Sequence, residues 1–164
     1  MNQIKISLLP RGSDIFASQC DALVNPVNCV GVMGKGLALA FKKHYPEMFA
    51  TYKNDCISKE ISMGRPYMYH MPVTPHIICF PTKNHWREKS NLLDIECGLG
   101  NLFYSACLQW DINSIAIPAL GCGEGGLLWE DVLPIIYKAI NFAHGWNGGL
   151  EFVEIYPPSW KETN

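Results

Sequence analysis

Residues 23–36 read Leu23-Val24-Asn25-Pro26-Val27-Asn28-Cys29-Val30-Gly31-Val32-Met33-Gly34-Lys35-Gly36. The run Asp21–Asn25 is apolar enough for a short buried strand, and Gly34-Lys35-Gly36 opens a helix through about His44. That helix carries Leu37, Ala40 and Phe41 on one face. Between strand and helix lies a loop in which glycines let the backbone come close to a ligand. The N–H groups at the helix start favour an anion there. A glycine turn between a strand and a helix is also ordinary turn chemistry, so this loop by itself decides little.

A second loop of the same kind decides more. Gly121-Cys122-Gly123-Glu124-Gly125-Gly126-Leu127 leaves a strand at Ser114–Pro118 and enters a helix over Trp129–Ala143, with Pro134 near its start. Two such loops in one small domain suggest a diphosphate gripped from both sides. Outward from them, Ile4–Leu9 alternates like a strand. Pro46 restarts the helix, and Phe49, Tyr52 and Cys56 continue its apolar stripe. Tyr67–Met71 and His76–Phe80 read as two strands joined by a proline-containing turn. Ser90 suits the N-cap of a helix bearing Leu92, Ile95, Leu99, Leu102, Phe103 and Ala106. Glu151–Tyr156 is a last strand, stopped by Pro157-Pro158. The order β-β-α-α-β-β-α-β-α-β predicts an α/β fold with a mixed sheet between helices. Such sheets bind ligands beyond the strand ends, where the loops enter helices.

The chain has 164 residues, the size of one domain. Lys and Arg number 13 against 15 Asp and Glu, so 13 − 15 = −2, and no global basic field holds nucleic acid. The start, Met1-Asn2-Gln3-Ile4-Lys5-Ile6, has no hydrophobic signal core, and no apolar run approaches a membrane span. Seven scattered cysteines form no CxxC pair or zinc spacing, and the five histidines are dispersed. The expectation is a cytoplasmic protein with reduced thiols and no metal, a monomer by default. GxxxxGK[ST], a GxGxxG in the first βα turn, GxSxG and HExxH are all missing, which disfavours the usual nucleotidases, dinucleotide enzymes, serine hydrolases and zinc proteases.

Asn25 and Asn28 bracket a proline at the end of the second strand, where amides suit either sugar hydroxyls or turn geometry. Asp14 suits an adenine amino group or a turn cap. The segment Phe80-Pro81-Thr82-Lys83-Asn84-His85-Trp86-Arg87-Glu88-Lys89 leaves a buried strand. A lysine there is partly desolvated, which lowers its pKa toward nucleophilic use. Trp86 between His85 and Arg87 offers a stacking face flanked by cation donors, a local recipe for a nucleobase. The plainer reading is a solvated loop with Trp86 tucked against the core.

Taken together, Leu23–Asn28 with the first loop and Pro118-Ala119-Leu120-Gly121-Cys122-Gly123 resemble a macrodomain, and the resemblance spans nearly the whole chain. More narrowly, Asn28–Gly36, Phe80–Arg87 and Ile155-Tyr156-Pro157-Pro158-Ser159 are similar to the macrodomain of DNA ADP-ribosyl glycohydrolase antitoxins. The terminal ADP-ribose protein glycohydrolases are the related branch. The resemblance implies a single three-layer α/β/α domain over residues 1–164, with ADP-ribose across the end of its central mixed sheet and no cofactor. It implies that Asp14 takes the adenine amino group, with Ile15 offering its backbone and Tyr156 packing on the ring. Gly31, Val32, Met33, Gly34 and Gly36 would cradle the diphosphate together with Gly121, Cys122, Gly123, Glu124, Gly125, Gly126 and Leu127. Asn25 and Asn28 would face the distal ribose, Asn28 in a catalytic role. Lys83 would attack the anomeric carbon through a Schiff-base-like intermediate, and His85, Trp86 and Arg87 would meet nucleic acid.

Two departures bear on the substrate. Ser13 stands where macrodomains usually carry glycine. Gly125 stands where the protein-directed branch has an acidic residue, with Glu124 beside it. The DNA-directed branch has glycine there and shares the His85-Trp86-Arg87 run. The leading expectation is therefore a hydrolase removing mono-ADP-ribose from a nucleobase of single-stranded DNA, opposite a cognate ADP-ribosyltransferase toxin. Hydrolysis of ADP-ribosyl esters on protein glutamate or of O-acyl-ADP-ribose is one alternative, and an ADP-ribose reader without turnover is another. Antitoxins of this kind continue into a toxin-binding domain, so the sequence reads as a piece of one or as a free-standing hydrolase.

Overall fold

A computed structural model describes residues 3–160; Met1, Asn2 and residues 161–164, which the readings above include, lie outside the described residues. Six strands form one sheet: β1 (Lys5–Leu8), β2 (Ala22–Val27), β3 (Tyr67–Tyr69), β4 (His76–Pro81), β5 (Ser114–Ile117) and β6 (Phe152–Ile155). Their spatial order is β1-β6-β5-β2-β4-β3, parallel throughout except for β3, which runs antiparallel to β4. Four helices complete the fold: α1 (Gly36–His44), α2 (Pro46–Ile57), α3 (Leu92–Leu108) and α4 (Trp129–Ala143). This is the three-layer α/β/α architecture that the order of elements predicts.

Strand alternation builds two cores. Ala22 and Val24, Ile78 and Phe80, Ile115 and Ile117, and Val153 and Ile155 point to one face, where α3 and α4 add Leu99, Leu102, Val132 and Ile136. Leu23, Val27, Ile77, Cys79 and Ala116 point to the other, against Phe41, Met48 and Tyr52 of α1 and α2. Parallel strands covered on both faces must be apolar throughout, which explains runs such as Ile77-Ile78-Cys79-Phe80. Gly98 of α3 lies directly on Phe80; a Cβ there would meet the ring Cζ at 2.5 Å. No helix among the described residues is long and apolar enough to cross a membrane.

One local expectation needs correcting. Ser90 does not cap α3: the N-cap is Asn91, whose side chain accepts from the Leu93 N–H at 2.8 Å. Ser90 is drawn instead into packing with the second glycine loop. Pro134 lies inside α4, beyond its first turn.

The topology opens a crevice. β2 and β5 are parallel neighbours, yet the helices that follow them cover opposite faces of the sheet. The chains leaving their C-terminal ends diverge, and the gap between them is the usual ligand position in open α/β sheets. Both glycine-rich loops begin at this gap.

Candidate active site

Between the two glycine loops runs a third segment, residues 82–91, leaving β4. It is hydrogen-bonded to both. The Cys29 N–H donates to the Asn84 carbonyl at 2.9 Å, and the Ser90 N–H donates to the Gly125 carbonyl at 2.9 Å. The Thr82 N–H donates to the Val27 carbonyl at 2.9 Å, continuing the β2–β4 ladder past the strand ends. Lys83 therefore emerges at the floor of the crevice, flanked by both loops.

The first loop is organised from within by Asn28, which is 6% exposed. Its Nδ2 donates to the Val32 carbonyl at 2.8 Å, and its Oδ1 accepts from the Val30 N–H at 3.0 Å. The Tyr52 hydroxyl donates to the Asn28 carbonyl at 2.7 Å and lies 3.0 Å from its Oδ1. This amide shapes the loop. Asn28 thus holds the shape of the first loop from within. Gly31 has φ +81° and packs on α2, where a Cβ would meet the Lys53 Cγ at 3.3 Å. Gly34 and Gly36 lie at the mouth of α1, and Gly36 also has positive φ. Val32 is exposed, whereas Met33 is buried beneath the loop.

Asn25 is fully buried, which corrects its expected place at a sugar. Its Nδ2 faces the Met33 Sδ at 3.7 Å and the Cys79 Sγ at 4.0 Å, and its Oδ1 has no hydrogen-bond partner. Burial, first of all, holds the neighbouring Cys79 thiol well above the usual range, with Cys56 and Asp55 adding to the shift and the Asn25 side chain opposing it.

The second loop is tighter. Gly121 and Gly126 have φ of +74° and +79°, and the Leu127 N–H closes back on the Gly121 carbonyl at 2.9 Å. Cys122 is buried, while Gly123 and Glu124 are exposed. Ser90 fills the space beneath this turn, its Oγ buried without a hydrogen-bond partner. Sequence reading missed Ser90 because a serine ahead of a helix signals a cap, and nothing local shows that a glycine loop sits on it.

Lys83 is partly exposed, and its pKa is lowered, first by desolvation; Lys89 lowers it further, while Glu124 and Glu88 oppose the shift. A lysine two residues past a largely buried strand loses water on one side, which disfavours its charged form. Beyond it, Trp86 is 45% exposed and so is not tucked against the core. The Arg87 guanidinium lies 4.6 Å from the Trp86 ring centroid and the His85 ring 5.2 Å away. The Arg87 N–H donates to His85 Nδ1 at 3.1 Å, which sets this turn.

At the other end of the crevice, Asp14 caps the 3-10 turn Ile15–Ala17 by accepting from the Phe16 N–H at 2.9 Å. Its carboxylate is exposed, and Ile15 is buried beneath it. Tyr156 is 6% exposed, packs in the second core and donates its hydroxyl to the Glu154 carboxylate at 3.0 Å. Burial pushes the Tyr156 hydroxyl up to about 12. The aromatic that lies open on this side is Trp160, whose ring is 4.0 Å from the Cβ position of Gly123, with Arg11 donating to its carbonyl.

The Macro domain family profile matches residues 24–136. The chain is 44% identical over 151 residues to a Mycobacterium tuberculosis protein named DNA ADP-ribosyl glycohydrolase, covering 89% of this chain and 41% of that protein. A Thermosipho africanus protein named DNA ADP-ribosyl transferase-DNA ADP-ribosyl glycohydrolase fusion protein is 36% identical over 143 residues, covering 76% of this chain and 37% of its own length. The solved structure described as Thermosipho africanus DarTG in complex with ADP-ribose superposes with a TM-score of 0.85 at 33% identity, over 98% of this chain and 43% of that one. The macrodomain of Thermus aquaticus DarG gives a TM-score of 0.82 at 36% identity, over 96% and 100%. The chain spans about two fifths of the length of the curated relatives it matches.

Proposed function

The chain belongs to the macro domain family, and from that premise we propose that it is an ADP-ribosyl glycohydrolase removing a single ADP-ribose from a nucleobase in DNA. The reading is carried by Lys83: an amine with depressed basicity, set in the crevice between two glycine loops. A protein that only bound ADP-ribose has no need of it. The 44% identity to a DNA ADP-ribosyl glycohydrolase supports the same chemistry, and the relative solved with ADP-ribose supports the ligand.

In this reading the Asp14 carboxylate takes the adenine amino group beside the Ile15 backbone, and the N–H groups of residues 31–36 and 121–127 hold the diphosphate. The neutral Lys83 amine attacks the anomeric carbon of the distal ribose. A nitrogen–carbon bond forms, the bond to the base breaks, and its electron pair goes to the base nitrogen, which takes up a proton. Loss of the amine proton and opening of the ribose ring give an iminium ion. Water adds to that carbon, releasing ADP-ribose and the lysine amine. The leaving base lies toward His85, Trp86 and Arg87, where an indole face and a guanidinium suit single-stranded DNA. Local cations, including Lys53, Arg87 and Lys89, serve here in place of a basic net charge.

A DNA ADP-ribosyltransferase is the functional counterpart in this reading, supported by the relative that carries both activities in its name. Seven cysteines without a disulfide support work in the cytoplasm. The test offers thymidine-ADP-ribosylated single-stranded DNA and glutamate-ADP-ribosylated protein to the wild type and to Lys83→Ala. Cleavage of the DNA, lost in the mutant, is expected. Cleavage of the protein alone would overturn the nucleobase assignment, and binding of ADP-ribose without turnover of either would make the chain a reader.

A further inference from the structure

Lys89 lies across the second glycine loop. Its stem covers Gly126, with Cδ 3.4 Å from where a Cβ on that glycine would stand, and its Nζ donates to the Glu124 carbonyl at 3.2 Å. One residue further on, Ser90 bonds the same loop through Gly125. Desolvation does most to lower the Lys83 pKa; of the charges acting on it, Glu124 and Glu88 raise it and Lys89 lowers it.

We propose that Lys89 is a positioning residue for the Lys83 reaction: moored on the Glu124 carbonyl, it ties the second glycine loop to residues 82–91 and sets a positive charge beside the Lys83 amine. The inference rests on the Lys83 reading above. A nucleophilic lysine must be neutral to attack, and a nearby cation disfavours its protonated form. Glu124 and Glu88 work in the opposite direction, so the mooring matters: it fixes the ammonium against a carbonyl, which carries no net charge. The two glutamates also make the sign testable. Removing the Lys89 charge returns Lys83 toward its protonated form, and removing the Glu124 charge does the reverse.

The experiment uses Lys89→Met, which keeps an unbranched apolar stem, with Lys89→Arg and Glu124→Gln alongside. Labelling of Lys83 by an amine-reactive acylating reagent is followed against pH by peptide mass spectrometry, so the readout does not depend on turnover. The midpoint should move to higher pH in Lys89→Met, stay near wild type in Lys89→Arg, and move lower in Glu124→Gln. Turnover of ADP-ribosylated DNA at pH 7 should fall about threefold to tenfold in Lys89→Met and recover as the pH is raised. An unmoved labelling midpoint in Lys89→Met overturns the proposal, as does a loss of turnover equal at every pH. If the wild type turns over neither substrate, the glycohydrolase reading fails, while the labelling midpoints still decide the role of Lys89.

Discussion

A Cβ placed on Gly125 would stand 2.3 Å from the Ser90 Oγ and 2.6 Å from the Gly121 carbonyl oxygen, so Gly125 and Ser90 share a space that admits only one side chain. The backbone carbonyl cannot swing aside as a side-chain end would. Gly125→Ala should therefore lose about 1–3 kcal/mol of stability by overpacking and weaken ADP-ribose binding through the distorted loop. Chemical denaturation and calorimetric titration read the two effects. Ser90→Gly combined with Gly125→Ala should restore only part of the loss, because the Gly121 carbonyl remains. An acidic residue at this position is barred for the same reason.

The hydroxyl of Tyr52 reaches the first loop from α2 and donates to Asn28. Tyr52→Phe removes that bond from a fully buried site and leaves an acceptor short of a partner. A loss of about 1–2 kcal/mol is expected, together with weaker ADP-ribose affinity. Asn28→Ala should cost more, since it breaks the loop's own bonds to Val30 and Val32. Thermal unfolding with and without ADP-ribose separates the two contributions. Equal unfolding midpoints for Tyr52→Phe and wild type would show that the bond holds nothing.

Turnover should depend on pH through Lys83. In the proposed reaction the Lys83 amine attacks only when neutral, and desolvation lowers its pKa. Activity should then rise with pH and level off before the range near 10.4 where an ordinary lysine titrates. Lys83→Arg keeps the positive charge yet supplies no neutral amine, so it should be inactive across the range while still binding ADP-ribose. A rate that falls as the pH climbs from 6 to 9 would exclude the lysine mechanism.

Trp86 is the most exposed aromatic beside Lys83, and Arg87 stacks on it. Stacking of one base on an aromatic is worth about 1–3 kcal/mol. Trp86→Ala should thus lower kcat/KM on ADP-ribosylated single-stranded DNA by roughly 5- to 150-fold and leave affinity for free ADP-ribose unchanged. Equal losses on the two ligands would place Trp86 in the fold and not in DNA contact.

Much of the architecture was legible because it is local. The apolar runs Asp21–Asn25 and Ile77–Phe80 and the helical spacing from Leu92 to Ala106 each state their own element. The glycines of the second loop stood out in the sequence, and two of them, Gly121 and Gly126, take positive φ in the structure. The boundary at Ser90 failed because the competing partner, the second glycine loop, is remote in sequence. Tyr156, which the resemblance set on the adenine, is held in by Glu154 and the second core, contacts that no local pattern announces.

What the sequence by itself determined is the inventory: two glycine loops after buried strands, a lysine after a third, and a Trp-Arg pair beyond it. Only the tertiary structure decided how these meet. β2 and β5 became neighbours whose helices leave to opposite faces, which opened the crevice. The 82–91 segment then bonded to both loops, which set Lys83 between them. Whether a polar side chain faces ligand or holds a loop, as Asn28 does, depends on atoms brought to it by folding. Local pattern specifies the elements because backbone geometry is local, and the division of labour within the site is fixed by contacts that only the packed chain creates.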